Sequence, residues 1–187
     1  MKKLTLLATM ATLTCAATLP AAAKSLVVNQ AMTEAEVLAA QQAWCQALVG
    51  ISQTHARDGQ PAARAMAEKV IDAAYGYQMG AVLFKPTLTT NPQTFRTTRD
   101  GALAYFVGGN SAFPKDTGFA LKGWKQCQVD NAAVFISGDS AATMAKVRIT
   151  GADNKVTTVD KTWKFVKDDA GKLRIVVHHS SLEFAGG

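Results

Sequence analysis

The sequence has few charged residues, few aromatic residues and few cysteines. Of its 187 residues, 18% are charged, 7% are aromatic and three are cysteine, whereas 48% are hydrophobic. These fractions exclude a disordered chain, a coiled coil and a scaffold held together by many disulfides. No apolar run reaches the roughly 18 to 20 residues that a membrane-spanning helix needs. The composition therefore predicts one globular domain.

The longest apolar run lies at the N-terminus. It covers residues 4–19, follows two lysines, and ends at Pro20 and three alanines. A basic start, an apolar centre and a small-residue end are typical of a cleaved secretory signal, the alternative being a buried helix. We therefore expect residues 1–23 to be a signal peptide and residues 24–187 to form a single domain. The protein is then expected to be periplasmic or secreted.

Positive charge exceeds negative charge only slightly. The net charge of +6 falls to about +4 when residues 1–23, which include two lysines, are removed. The basic residues are scattered and form no block or stripe of the kind that binds nucleic acid. We therefore expect no nucleic-acid partner and, after removal of the signal, no membrane partner. A modest positive field instead favours small anions.

Two of the three cysteines remain in the mature chain. Cys15 lies within the expected signal, which leaves Cys45 and Cys127. An even pair in an exported chain can form a disulfide, and a long loop between the two cysteines would then be closed. Two separately buried thiols are the alternative, and the sequence does not decide between them.

Helical patterns come first along the chain. A capping box formed by Thr33 and Glu36 predicts a helix that ends near residue 53. A turn at residues 58–60 precedes a second helix, which begins at Pro61 and ends near residue 77. A strand at 82–85 and a helix at 100–107 are predicted after it. Four strand-like segments follow, at 119–130, 132–150, 156–167 and 172–184. The second of them covers 132–138 and continues across Gly138-Asp139 into 140–150.

Helices followed by a long antiparallel sheet define the α+β class. We expect the sheet to curve around the preceding helices. The hollow between the sheet and the helices is then the natural ligand site.

The chain has few residues that could bind zinc. It contains three histidines, of which His178 and His179 are consecutive in a predicted strand and point to opposite faces. A zinc site with three histidine ligands is therefore not expected. Motifs of the common hydrolases, metalloproteases and nucleotide-binding proteins are also missing from the sequence.

Polar residues occupy unusual positions in the last predicted strand. Alternation places Arg174, His178 and Ser180 on one face, where a hydroxyl and an imidazole could orient water and move protons. A solvent-facing polar side is the alternative interpretation. Periodicity alone does not decide whether His178 and Ser180 or the neighbouring pair His179 and Ser181 face inward.

Several short motifs occur in order over about a hundred residues of the chain. They are Tyr75-Gly-Tyr77, Val82-Leu-Phe-Lys-Pro-Thr87, Phe95-Arg96, Gly101-Ala-Leu-Ala-Tyr-Phe-Val-Gly-Gly109, Gly118-Phe-Ala-Leu-Lys122 with Trp124, and His178-His-Ser-Ser181. Through them the mature chain resembles the nuclear-transport-factor-2-like and SnoaL-like superfamily, including proteins related to the association domain of calmodulin-dependent kinase II. The closer resemblance is to the iota-class carbonic anhydrases of bacteria, cyanobacteria and algae.

This resemblance implies a cone-shaped α+β barrel that forms a homodimer and interconverts carbon dioxide and bicarbonate. In the structurally understood members the site is metal-free, so no cofactor is expected, although other members are described as using zinc or manganese. The resemblance implies four catalytic residues, namely Thr87, Tyr105, His178 and Ser180. We further expect substrate-binding roles for Lys85, Arg96, Arg174 and Ser181, the three cations by supplying positive potential.

The expected roles divide into water binding and proton transfer. Thr87, Tyr105 and Ser180 would hold the attacking water and the bicarbonate oxygens, and His178 would accept or relay the proton. Two other functions remain open on this architecture. One is an acid-base isomerase or cyclase, for which Glu183 is the best candidate base, and the other is a non-enzymatic, dimerising ligand-binding module.

Overall fold

The computed structural model describes residues 30–184. The expected signal peptide at residues 1–23 lies outside the described residues. The elements follow one another as a long helix, a short strand, a second helix, a 3-10 turn and four long strands. Their bounds are α1 Glu34–Ala74, β1 Leu83–Lys85, α2 Arg99–Val107, the 3-10 helix Phe119–Leu121, β2 Trp124–Ser137, β3 Ser140–Gly151, β4 Val156–Lys167 and β5 Leu173–Leu182.

Helix α1 begins where the sequence predicts a capping box. The Glu36 amide donates to Thr33 Oγ1 at 3.3 Å, and the Thr33 amide donates to Glu36 Oε2 at 2.8 Å. The helix is kinked at Gly59, whose φ of 81° is a left-handed value that favours glycine. The predicted turn at residues 58–60 is therefore a kink, and the second predicted helix is the C-terminal arm of α1, which ends at Ala74.

Helix α2 is short and almost wholly buried. Its N-cap Thr98 accepts a hydrogen bond from the Gly101 amide at 3.2 Å, and the helix ends at Gly108, whose φ is 65°. Every residue from 101 to 107 is buried, as expected for a helix that is apolar on all sides. This burial places Tyr105 in the interior. Among residues 30–184, none of the helices is both long enough and apolar enough to cross a lipid bilayer.

The five strands form one sheet in the order β1-β5-β4-β3-β2. Strand β1 pairs with β5 in parallel, and the other neighbours pair in antiparallel fashion. Strands β1 and β2 are the two edges, so the curved sheet is open. The helices lie against its inner face, where Trp163 and Phe165 are fully buried. The predicted α+β class is confirmed.

Two predicted features of the strands are wrong. Residues 119–121 form a 3-10 helix, and the first long strand begins only at Trp124. The expected break near Asn131 is a β-bulge between Asn131 and Ala133 within a continuous β2. A bulge adds a residue without ending the ladder, so the turn into β3 comes later, at Gly138.

A disulfide joins helix α1 to the edge strand β2. It links Cys45 and Cys127, whose Cα atoms are 5.2 Å apart and whose sequence separation is 82 residues. The alternative of two free thiols is wrong. In the chain-entropy model a loop of this length contributes about 4–5 kcal/mol to the free energy of unfolding.

Candidate active site

The end of β1 meets the end of β5 at one side of the sheet. Lys85 pairs with His179 in the parallel register. Just beyond β1, Thr87 Oγ1 donates to Ser180 Oγ at 2.6 Å, and Lys85 Nζ donates to the Ser180 carbonyl oxygen at 3.0 Å. Partial burial lowers the pKa of Lys85. The structure therefore brings Lys85, Thr87 and Ser180 together.

The structure decides which face of β5 is inward. His178 and Ser180 are each 1% exposed, whereas His179 is exposed. Ser181 lies opposite the exposed Asp160 and belongs to the outer face. His178 and Ser180 therefore face the core, and Ser181 is not placed in the cluster for which its substrate-binding role was expected.

A β-bulge separates Arg174 from this cluster. Two neighbouring residues of β4 oppose Ile175 and Val177, so Val176 is an extra residue in β5. Such a residue restarts the alternation of faces. Ile175 and His178 are consequently both buried although they are three positions apart. The prediction that Arg174 shares a face with His178 is therefore wrong.

Arg174 instead binds the end of helix α1. Its Nε donates to Asp168 Oδ2 at 2.7 Å, and its Nη1 donates to the carbonyl oxygens of Asp72 and Ala73. The hydrogen bond from Arg174 is the main reason why the pKa of Asp168 is lowered. A cation is favourable at a helix C-terminus, so the position of Arg174 indicates a structural contact.

Tyr105 carries a buried hydroxyl with no hydrogen-bond partner among the described residues. Its ring stacks on Phe119 at 5.4 Å and contacts Phe84 edge-on at 5.8 Å. Burial raises the pKa of Tyr105, and polar interactions with Leu88 and Thr87, which fall short of hydrogen-bond geometry, partly offset this rise. A neutral phenol close to the hydrogen-bonded pair Thr87 and Ser180 is thus free to donate to a ligand.

His178 is held by protein groups at both ring nitrogens. Its Nδ1 lies 2.8 Å from the Tyr75 hydroxyl, which also accepts from Trp44 Nε1 at 3.0 Å. Its Nε2 lies 3.2 Å from Lys161 Nζ, and its ring stacks on Phe84 at 4.4 Å. Burial, followed by the charges of Lys161 and of the neighbouring histidine, holds the pKa of His178 well below its usual value. The imidazole is therefore neutral.

Lys161 is a buried residue of this site that the sequence analysis did not identify. It is 4% exposed and lies opposite Ser180 on the neighbouring strand. Burial lowers its pKa to about 7. A signal for it exists in the sequence, because Lys161 occupies the same alternating face as the apolar residues Val159, Trp163 and Phe165.

Arg96 is buried in an ion pair. Its Nη2 and Nε donate to the two carboxylate oxygens of Asp116 at 2.8 and 2.9 Å, and its Nη1 donates to the carbonyl oxygens of Gln93 and Phe95. The guanidinium also lies 4.6 Å from the Phe113 ring centroid. This position indicates that Arg96 fixes the loop before α2, and its substrate-binding role stays a prediction.

Among residues 30–184, neither Glu183 nor the buried Asp116 offers a free carboxylate of the kind that an isomerase would need. Glu183 is about half exposed and forms an ion pair with Lys146 on the outer face. The buried carboxylate of Asp116 is already bound by Arg96. In the part of the chain that the structure describes, no group of three or more His, Cys, Asp or Glu residues could hold a metal ion.

Fold and site together define an α+β protein in which an open, curved sheet packs against two helices, with a buried site of hydroxyl groups, an imidazole and an amine. The model of the metal-independent carbonic anhydrase family matches residues 35–182. The chain therefore belongs to this family, and the resemblance to iota-class carbonic anhydrases is confirmed.

Similar proteins agree with this assignment. A metal-independent carbonic anhydrase of Nostoc sp. is 62% identical over 161 residues, which cover 86% of this chain and 78% of that protein. The crystal structure of a cyanobacterial iota-carbonic anhydrase complexed with bicarbonate is 61% identical, has a TM-score of 0.85, and covers 87% of this chain and 99% of that chain. A calmodulin-dependent kinase II association domain from Xanthomonas campestris shares the fold alone, with 22% identity, a TM-score of 0.53, and coverage of 87% of this chain and 100% of that chain.

Proposed function

We propose that this protein hydrates carbon dioxide reversibly to bicarbonate and a proton, at a metal-free site formed by Thr87, Tyr105 and Ser180 in the hollow between sheet and helices. The observation that carries the proposal is the buried, unpartnered Tyr105 hydroxyl beside the hydrogen bond between Thr87 and Ser180. The bicarbonate complex of the similar cyanobacterial enzyme supports the choice of substrate.

The three hydroxyl groups divide the chemistry among them. When the oxygen of water bonds to the carbon of carbon dioxide, negative charge develops on the two original oxygens. The Tyr105 hydroxyl donates a hydrogen bond to one of them, and buried donors of this kind stabilise such charge strongly because water is excluded. Ser180 Oγ accepts from Thr87, so its own hydrogen is available to a ligand.

His178 acts through its neighbours. Its imidazole is neutral, and protein groups bind both ring nitrogens. Neither nitrogen is therefore free to accept a proton directly from water held by Thr87, Tyr105 and Ser180. Its role in proton transfer therefore depends on Tyr75 and Lys161. Lys85, whose Nζ lies close to Ser180, supplies positive potential for the bicarbonate product.

A stopped-flow assay of carbon dioxide hydration on residues 24–187 tests this function. The protein is first dialysed against a strong chelator and its metal content is measured. We expect full hydration activity in metal-free protein, because none of the proposed roles requires a metal. Loss of activity that zinc or manganese restores would contradict the metal-free site, and the absence of hydration in both preparations would contradict the function itself.

The outer face of the sheet supports a homodimer. Phe135 and Met144, on the adjacent strands β2 and β3, are 71% and 64% exposed. Phe135 pairs with Ala142, which shares its face with Met144, so both apolar side chains project from the same side. Exposed apolar side chains that cluster in this way are typical of protein interfaces.

Replacing both residues by lysine should dissociate this dimer. We expect the Phe135→Lys, Met144→Lys double variant to sediment at half the mass of the wild-type protein, because two charges would be buried without partners. A matched control is Leu38→Lys, at a 43% exposed position on α1, which should leave the mass unchanged. Sedimentation velocity measures the mass and far-ultraviolet circular dichroism checks the fold. A wild-type monomer, or a double variant that stays dimeric, would contradict this interface.

Export is proposed on two observations. The first 23 residues have the pattern of a secretory signal. The disulfide between Cys45 and Cys127 is of the kind that persists in oxidising compartments. Both favour a periplasmic or secreted protein.

A further inference from the structure

Lys161 is a buried amine without a counter-ion among the described residues. It projects from the centre of β4 into the core and is 4% exposed. Its Nζ lies 3.2 Å from His178 Nε2 and 3.9 Å from the Trp44 ring centroid. A lysine is rarely enclosed unless it is paired with a charge, so its position needs a reason other than packing.

The hydrogen bonds around His178 link the tautomer of its imidazole to the charge of the Lys161 amine. Trp44 donates to the Tyr75 oxygen, and among residues 30–184 that hydroxyl has no other partner than His178 Nδ1. In one tautomer the Tyr75 hydrogen points to Nδ1, and the proton of the neutral imidazole is on Nε2. Nε2 then donates to Lys161 Nζ, and only an uncharged amine has a lone pair to accept.

We propose that the Lys161 amine takes up the proton released during hydration, and that His178 changes tautomer as it does so. The inference rests on the proposed function. Water forms a bond from its oxygen to carbon, one of its O–H bonds breaks, and the proton ends on Lys161 Nζ. In dehydration the ammonium returns that proton. Lys161 lies directly across from Ser180 on the same inner face, so their Cβ atoms are about 5 Å apart.

The change of tautomer follows from the chemistry of the ammonium group. Protonated Lys161 has three donors and no acceptor, so it can only donate to His178 Nε2. The ring proton must then be on Nδ1, where it donates to the Tyr75 oxygen, and the Tyr75 hydrogen loses the acceptor that it has in the first state. The two states use the same positions of the nitrogen and oxygen atoms, and in neither of them is the imidazole charged.

The surroundings of Lys161 allow both charge states near neutral pH. Burial lowers its pKa to about 7, while the face of the Trp44 ring stabilises the ammonium form. Of the groups that face it, His178 titrates, and Tyr75 follows behind His178 with a raised pKa caused mainly by burial. The other neighbours are uncharged, namely Ser180 on β5, Ala145 on β3, Trp163 on β4 and Trp44 on α1.

Nitrogen-15 NMR of the histidine rings tests the coupling without any variant of Lys161. The His178 signals are assigned by comparison with His55→Gln and His179→Gln proteins. We expect the Nε2–H tautomer at pH 9 and the Nδ1–H tautomer at pH 5.5, with the change centred near the Lys161 pKa of about 7. A single tautomer over the whole range, or an imidazolium in place of the second tautomer, would overturn the proposal.

The pH profile of hydration gives the second test. Because the acceptor must be a neutral amine, kcat of the wild-type protein should rise with pH through about 7 and then level off. Lys161→Met should lower kcat about 100-fold and remove this inflection, since proton transfer by a positioned group contributes a factor of 10² to 10⁴. Lys164→Met is the matched control, because Lys164 lies on the same strand with an exposed side chain, and it should retain wild-type kcat.

Lys161→Arg separates proton uptake from a purely structural cation. Arginine keeps the charge near Trp44 but does not release its proton at these pH values. We expect it to remain as inactive as Lys161→Met, and substantial recovery of kcat would contradict proton uptake. If wild-type protein shows no hydration at all, the proposed function fails, whereas the NMR titration still decides whether Lys161 and His178 are coupled.

Discussion

Tyr105→Phe should lower the rate of carbon dioxide hydration about 100-fold without lowering the free energy of unfolding. In the wild-type protein the Tyr105 hydroxyl donates a hydrogen bond to the substrate oxygen on which negative charge develops. Removing one such donor lowers the rate by a factor of about 10²–10³. In the absence of ligand the hydroxyl is buried with no partner among the described residues, a condition that costs about 1–3 kcal/mol. The aromatic contacts with Phe84 and Phe119 would remain. Stopped-flow hydration and urea unfolding measure the two effects.

Tyr77→Phe is the matched control for this variant. The Tyr77 hydroxyl donates to the Arg96 carbonyl oxygen at 2.8 Å, so its removal should lower stability by about 1 kcal/mol and leave hydration unchanged. Thr87→Ala removes the donor to Ser180 and should impair hydration in the same direction as Tyr105→Phe. Full activity in both Tyr105→Phe and Thr87→Ala would contradict the assignment of the site.

Arg96→Met should lower the melting temperature by about 10 °C. The substitution leaves the buried Asp116 carboxylate without its partner, and breaking a buried pair in this way costs about 3–5 kcal/mol. In a domain of this size each kcal/mol corresponds to about 2–4 °C. Differential scanning calorimetry measures the shift. Because Arg96 is placed in a structural pair, kcat of the folded fraction at 25 °C should stay close to the wild-type value.

The control for Arg96→Met is the same substitution in an exposed pair that also joins an arginine to an aspartate. Arg57 is bound to Asp58 with its side chain 70% exposed, and Arg57→Met should leave the melting temperature nearly unchanged because exposed ion pairs contribute little to stability. An unchanged melting temperature in Arg96→Met together with a raised KM for carbon dioxide would show that Arg96 contacts the substrate, as first expected.

Local sequence patterns predicted most of the helices and strands, because residues at or near the ends of these elements indicate where they begin and end. The capping box of Thr33 and Glu36 marks the start of α1, and the glycine after Val107 marks the end of α2. The cluster of Thr87 and Ser180 was reached through the family resemblance, since no local pattern shows that residues so distant in sequence will meet.

Other features depend on tertiary contacts and could not be predicted in the same way. The bulge at Val176 reverses the alternation of β5, and nothing in the local composition announces an extra residue there. The pairing of Arg96 with Asp116 requires the loop after α2 to fold back. Lys161 shares the alternation of its apolar neighbours, but a lysine in that pattern is ordinarily taken to be on the exposed face.

The position of β5 in the sheet has a consequence for how the protein is made. Strand β5 is the last strand of the chain, yet it lies between β1 and β4. Thr87 and Ser180 are 93 residues apart, and Tyr75 and His178 are 103 residues apart. Contacts of such long range form slowly, because the loop between them must close first. Synthesis from the N-terminus therefore produces Thr87 and Tyr105 early, but the site is complete only when β5, the last strand among the described residues, has entered the gap between β1 and β4.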